Sequence, residues 1–422
     1  MNQAQQGADP RDGRPSEPGR IAGGDSPAKR LRADLETPEP PEQPGRIDRI
    51  DSLRAFAMTA VIAEHCRILP IGWAGVWLFF VVSGFVVTTS LLSRPAERTG
   101  ALLTHFYARR AARILPIYLA YVVVGLLVSG MAQGRLEWRP FASLALFYNN
   151  FESAFGVGTF QGFPVGHLWT ISVEMQFYLF FGFAFAFLPR SALTAVLVGL
   201  LVIAPALRLI GGEWFQGAGL PPLQAAFAVY TFSPMHFDSF AAGALLALTR
   251  SHWVRRKWGP ADRAQILLTV GALAVVAYAG VYVLVNRAHG AAGLGLFRNI
   301  LSGVLFGDLR QVWLYSALAA LFSGALAVTL ARAGAWARIT GSSLLQTVGR
   351  VSYGGYVYHP LCVQGVARLL HVVVRSGTSM AGKLEFGVLV FALALPATVS
   401  LALVSYSFVE RPIIRGVSRR LL

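Results

Sequence analysis

The chain has 422 residues, 55% of them hydrophobic and only 14% charged, where a soluble domain carries about a quarter. Its mean hydropathy is +0.53, and a chain of this kind belongs in a lipid bilayer. The formal charge of +16 comes from short basic runs between apolar segments, the pattern of the positive-inside rule. Basic patches interleaved with aromatics, which mark single-strand binding, do not occur, and this excludes nucleic acid as a partner. The two cysteines, Cys66 and Cys362, give neither a disulfide framework nor a metal spacing.

In chain order, residues 1–46 come first. They are rich in Pro, Gly and charge, and hold eight of the 21 acidic groups. Such a segment buries too little apolar surface to offset its ordering entropy, and it lacks a signal-peptide core. It is expected to be a disordered cytosolic tail. Apolar runs long enough to span then begin near 52, 73, 112, 167, 192, 227, 264, 312, 346 and 385. Each approaches the ~20 residues that a ~30 Å hydrocarbon core requires. The expected fold is therefore all-α and polytopic, with about ten transmembrane helices over 47–415 and a short basic cytosolic tail at 416–422.

Three basic clusters set the orientation: residues 94–113, residues 250–257 and the C-terminus. An even number of spans places all three in the cytosol, with both termini on the cytosolic side of the plasma (inner) membrane. One apolar piece, F-A-S-L-A-L-F-Y-N-N-F at 141–151, is too short to cross. It reads as re-entrant or interfacial, which is tolerable only where protein covers its backbone.

Ionisable groups at bilayer depth mark function, and they gather in three places. The first is L-R-A-F-A-M-T-A-V-I-A-E-H at 53–65. Eleven residues separate Arg54 from His65, so both lie on one helix face, roughly 16 Å apart along the axis. Asp51, three residues before Arg54, shares that face and is within pairing reach. The second is V-G-H-L-W-T-I-S-V-E-M-Q-F-Y at 165–178, which enters from the outer side with His167, Ser172, Glu174 and Tyr178. Glu174 falls at a depth comparable to His65, and a carboxylate beside an imidazole suits general-base chemistry. The third is F-Y-A-R-R-A-A-R-I-L-P-I-Y at 106–118. Arg110 and Arg113 share a face there with Arg109 beside them, and guanidinium forks suit phosphate recognition. Further on, S-Y-G-G-Y-V-Y-H-P-L at 352–361 adds Tyr356 and His359. Phosphate-loop, zinc-protease and serine-elbow motifs are missing. No histidine pair stands at ligand spacing, so no metal is expected.

Together these strings, with G-V-W-L-F-F-V-V-S-G-F (75–85) and F-V-E-R-P (408–412), resemble the integral-membrane acyltransferase family 3, O-acetyltransferases included. The resemblance covers 47–415. Arg54 and His65 match the family's Arg-x10-His motif. Two positions depart from the pattern: Ser52 stands where glycine is usual, and Met175 where a second glutamate often follows the first. The resemblance implies transfer of a short acyl group, acetyl above all, from cytosolic acyl-CoA to a hydroxyl of a carbohydrate or other small-molecule acceptor. In that scheme Arg109, Arg110 and Arg113 hold the donor's phosphates, and Arg54 lies along the acyl path. His65, supported by Glu174, acts as general base or covalent carrier. Asp51, His167, Ser172, Tyr178, Tyr356 and His359 line the cavity. Many relatives carry a fused esterase-like domain. None is expected here, so the chain would deliver the acyl group itself. A proton-coupled transporter is the main rival, since buried His, Glu and Arg also build proton relays. A non-catalytic partner of an export assembly is another. The oligomeric state is left open.

Overall fold

The computed structural model describes residues 48–94, 98–155, 157, 159–253, 260–304, 307–332, 334–373 and 380–421. The tail expected over 1–46 and part of the 250–257 cluster lie outside the described residues. Within them all regular structure is helical. In order, the helices are α1 (Asp48–His65), α2 (Gly75–Leu92), α3 (Thr99–Gln133), α4 (Trp138–Ala145), α5 (Asn149–Ser153), α6 (Trp169–Phe187), α7 (Arg190–Gly217) and α8 (Pro222–Thr231). They continue as α9 (Phe237–Trp253), α10 (Pro260–Ala288), α11 (Arg310–Ala331), α12 (Gly334–Thr340), α13 (Ser343–Arg350), α14 (Ser352–Val373), α15 (Met380–Ser405) and α16 (Arg411–Arg420).

Seven stretches among the described residues are long and apolar enough to cross a membrane: Gly72–Leu92, Thr99–Gln133, Gly166–Phe187, Arg190–Gly217, Ala261–Ala288, Arg310–Ala331 and Ala381–Arg420. The expected ten become these seven, together with α1, α9 and α14. The reasons are local. Helix α1 carries Asp48, Arg49, Asp51, Arg54 and Glu64 within 18 residues, and α14 is diluted by Tyr353, Tyr356, Tyr358 and His359. The run expected as one helix from 227 is cut by the Ser233–His236 3-10 turn, which contains Pro234. This leaves α9 only 17 residues long.

Burial separates central helices from peripheral ones. The Gly72–Leu92 window is 67% buried, the Ala261–Ala288 window only 17%. Peripheral helices expose Val198, Val202, Val270, Leu273 and Val276, as lipid-facing surfaces do. Helices α2 and α9 pack through glycine: a Cβ on Gly84 would strike the Phe240 carbonyl, and one on Gly243 the Val81 carbonyl. Small residues permit such close backbone approach between membrane helices. The effect is to fix α2, and with it Ser83, against the centre of the bundle.

Candidate active site

Helix α1 runs between two polar clusters. At its C-terminal end the His65 ring meets His359 of α14 edge-on, with centroids 4.7 Å apart and planes at 83°. His359 in turn meets His167, 5.1 Å away. Each ring is tied to a backbone carbonyl: His65 Nδ1 to Val61 O at 2.9 Å, His359 Nδ1 to Tyr356 O at 2.6 Å and His167 Nε2 to Val357 O at 3.1 Å. A carbonyl only accepts, so each tied nitrogen carries the proton and the other ring nitrogen of a neutral imidazole holds a lone pair. His65 lies exposed at the end of its helix, whereas His359 is fully buried. Tyr356 completes this end: it donates to the His167 carbonyl at 3.2 Å and accepts from Thr170 at 2.8 Å.

At the other end of α1, Arg54 pairs with Asp51 at 2.7 Å, as their spacing predicts. Arg110 of α3 lies over the Tyr178 ring, 5.9 Å from its centroid, with Arg54, Glu174 and Arg113 in electrostatic reach. Its Nε is buried without a hydrogen-bond partner. Arg113 donates to the Arg350 carbonyl at 3.1 Å. Arg109 is half-buried beside them.

Glu174 is where sequence reasoning and geometry part. Its Oε1 accepts from Ser83 and from Tyr178, and no hydrogen bond joins it to His65 among the described residues. The expected carboxylate–imidazole pair is thus replaced by contact between imidazoles, because Glu174 lies seven residues past His167, which sits in the 3-10 turn before α6, and is carried toward the arginines. Ser172, expected to line the cavity, donates to Asn149. Ser83 and Glu410 were missed as individual residues, although both stand in the quoted strings at 75–85 and 408–412. Glu410 is fully buried in a π turn, Tyr406–Glu410, with neither carboxylate oxygen hydrogen-bonded. Also missed was the buried ion pair of Arg208 with Asp238 at 2.8 Å, where Arg208 also donates to Ser316 at 2.8 Å. Among the described residues no group of three His, Cys, Asp or Glu side chains is arranged to hold a metal ion.

With this geometry in hand, a family model for the acyltransferase-3 domain matches residues 47–407. The chain belongs to that family. Among its relatives are the O-acetyltransferase OatA of Staphylococcus aureus strain NCTC 8325, 26% identical over 390 residues, and the putative O-acetyltransferase SACOL0978 of strain COL, 25% identical. Both alignments cover 86% of this chain and 56% of the relative, so the chain spans little more than half the length of the curated relatives it matches. No solved structure matches. The acyltransferase-3 match takes in α1, α2, α3, the Gly166–Leu168 turn with α6, and α14, which carry the groups of both clusters.

Proposed function

We propose that the protein is a membrane O-acyltransferase that moves a short acyl group, acetyl above all, from acyl-CoA to a hydroxyl of a carbohydrate or other envelope or secreted acceptor. The observation that carries this reading is the pairing of unlike ends on one helix. An accessible imidazole lone pair stands at His65, and guanidinium groups gather roughly 16 Å away along α1 around Arg54. Arg110 and Arg113, with Arg109 beside them, suit the donor's phosphates, and the unsatisfied Nε of Arg110 supplies a free donor for that purpose. His65 Nε2 suits the acceptor's hydroxyl proton, since Val61 already occupies Nδ1–H. In keeping with the positive-inside pattern, the donor enters from the cytosol and both termini lie in the cytosol at the inner membrane. The S. aureus relatives named as O-acetyltransferases support acetyl as the group transferred.

The test is thiol release from acetyl-CoA by protein in liposomes, with and without a panel of sugar acceptors. Acceptor-dependent release that is lost in His65→Ala supports the reading. His65→Ala with full activity, or donor binding without turnover across a broad panel, overturns it and brings the proton-coupled transporter forward.

A further inference from the structure

General-base histidines usually lean on a carboxylate that orients the ring and stabilises the imidazolium. Here Glu174 is engaged elsewhere, and the group in contact with His65 is another imidazole. His359 Nδ1–H is held by the Tyr356 carbonyl and His167 Nε2–H by the Val357 carbonyl. The remaining nitrogens, His359 Nε2 and His167 Nδ1, are both buried and without a hydrogen-bond partner. A buried polar atom left unpaired costs free energy, so two of them beside the candidate base call for a role. His359 thus stands in ring contact with both His65 and His167.

Resting on the acyltransferase reading, we propose that His359, backed by His167, is a positioning residue that holds the ring plane of His65 through edge-on contact, while the Val61 carbonyl takes the His65 Nδ1–H. The reaction balances as follows. The acceptor O–H bond breaks and its proton forms an N–H bond at His65 Nε2. The oxygen attacks the thioester carbon, the C–S bond breaks, and the thiolate leaves and takes the proton back from Nε2. Between these events His65 is a cation. The two further rings, whose N–H groups are turned to backbone carbonyls, add no second full charge beside that cation. The edge-on contact with His359 also fixes the ring plane of His65.

Full-length protein in lipid nanodiscs would be assayed with acetyl-CoA and the sugar panel, and with water as acceptor where no sugar reacts. His359→Leu should lower kcat roughly 10–100-fold, less than the ~10²–10⁴-fold that a general base itself contributes, while the donor KM and directly measured acetyl-CoA binding stay within about twofold. His359→Gln, which restores an acceptor atom, should recover most of that loss. In a His65→Ala background His359→Leu should cost no further activity. Equal losses in the Leu and Gln variants, accompanied by a raised donor KM, would show a packing role and overturn the proposal. So would a His359→Leu enzyme with wild-type kcat while His65→Ala is dead. An active His65→Ala enzyme instead overturns the underlying reading, and the two failures are distinguishable.

Discussion

At the His65 end of α1 every histidine ring is tied to a backbone carbonyl, whereas at the Arg54 end the partners are mixed: Arg54 takes a carboxylate, Arg113 a backbone carbonyl, and Arg110 keeps an Nε without a partner. The first end is built from neutral rings, two of them buried behind an accessible third. The second is built from full charges: Arg54 takes Asp51, while Glu174 takes the hydroxyls of Ser83 and Tyr178 and leaves the Arg110 Nε free. Neutral imidazoles move protons at little electrostatic cost, and a guanidinium with spare donors holds an anion. On the proposed reading one helix separates two tasks, and the two ends should separate kinetically.

The most severe way to break this comparison is Arg110→Gln together with Arg113→Gln. Each charge-assisted hydrogen bond is worth about 1.5–3 kcal/mol. Loss of two phosphate contacts should therefore raise the donor KM about 100-fold or more, with kcat at saturating acetyl-CoA nearly intact. Steady-state kinetics over a wide donor range reads this directly. A collapse of kcat at unchanged KM would place the arginines in the chemistry and dissolve the division.

Glu174→Gln sharpens the same comparison with a smaller effect. The amide keeps the oxygen that Ser83 and Tyr178 reach but removes the charge beside Arg110. Donor affinity should change by a few-fold, about 1 kcal/mol, with kcat within about threefold. If kcat instead falls by ~100-fold or more, in the manner of a lost general-base partner, Glu174 supports His65 after all, through groups that do not hydrogen-bond to it in this structure.

That prediction shows how far the sequence can be read. The spacing of Asp51, Arg54 and His65 fixes their shared face because helix geometry leaves no freedom, and the salt bridge forms as the i,i+3 rule requires. The clustering of His65 with His167 and His359 is different. It depends on the Gly166–Leu168 turn before α6 and on α14 meeting the end of α1 together, which no single-helix pattern encodes. The expected pairing of Glu174 with His65 rests on depth and on the family pattern at 174–175, and neither can tell which neighbour a side chain reaches. Glu410 and Ser83 sat in visible strings, yet lone polar residues in apolar runs gain meaning only when packing buries them. Arg208 and Asp238 lie 30 residues apart, on helices whose contact is purely tertiary. Breaks in helices were harder still to foresee, since Pro234 ends a helix in one register and would merely bend it in another.

The smallest expected effect concerns the segment expected to be re-entrant. It consists of α4 and α5, broken where Phe147 adopts a left-handed φ of 57°. Its carbonyls are covered as membrane burial demands: Tyr118 donates to Leu144 O at 2.9 Å and Gln176 to Phe147 O at 2.6 Å. Asn150 adds bonds to Thr231 O at 3.1 Å and Ser233 Oγ at 2.8 Å. Ser172 belongs to this set through Asn149, away from the contacts of either end of α1. Ser172→Ala should therefore lower stability by about 1 kcal/mol, read as a small fall in thermal midpoint, and leave both kcat and donor KM within about twofold. A variant of unchanged stability with a tenfold loss of activity would return Ser172 to the substrate cavity, and would mean that the segment joins the site instead of bracing it.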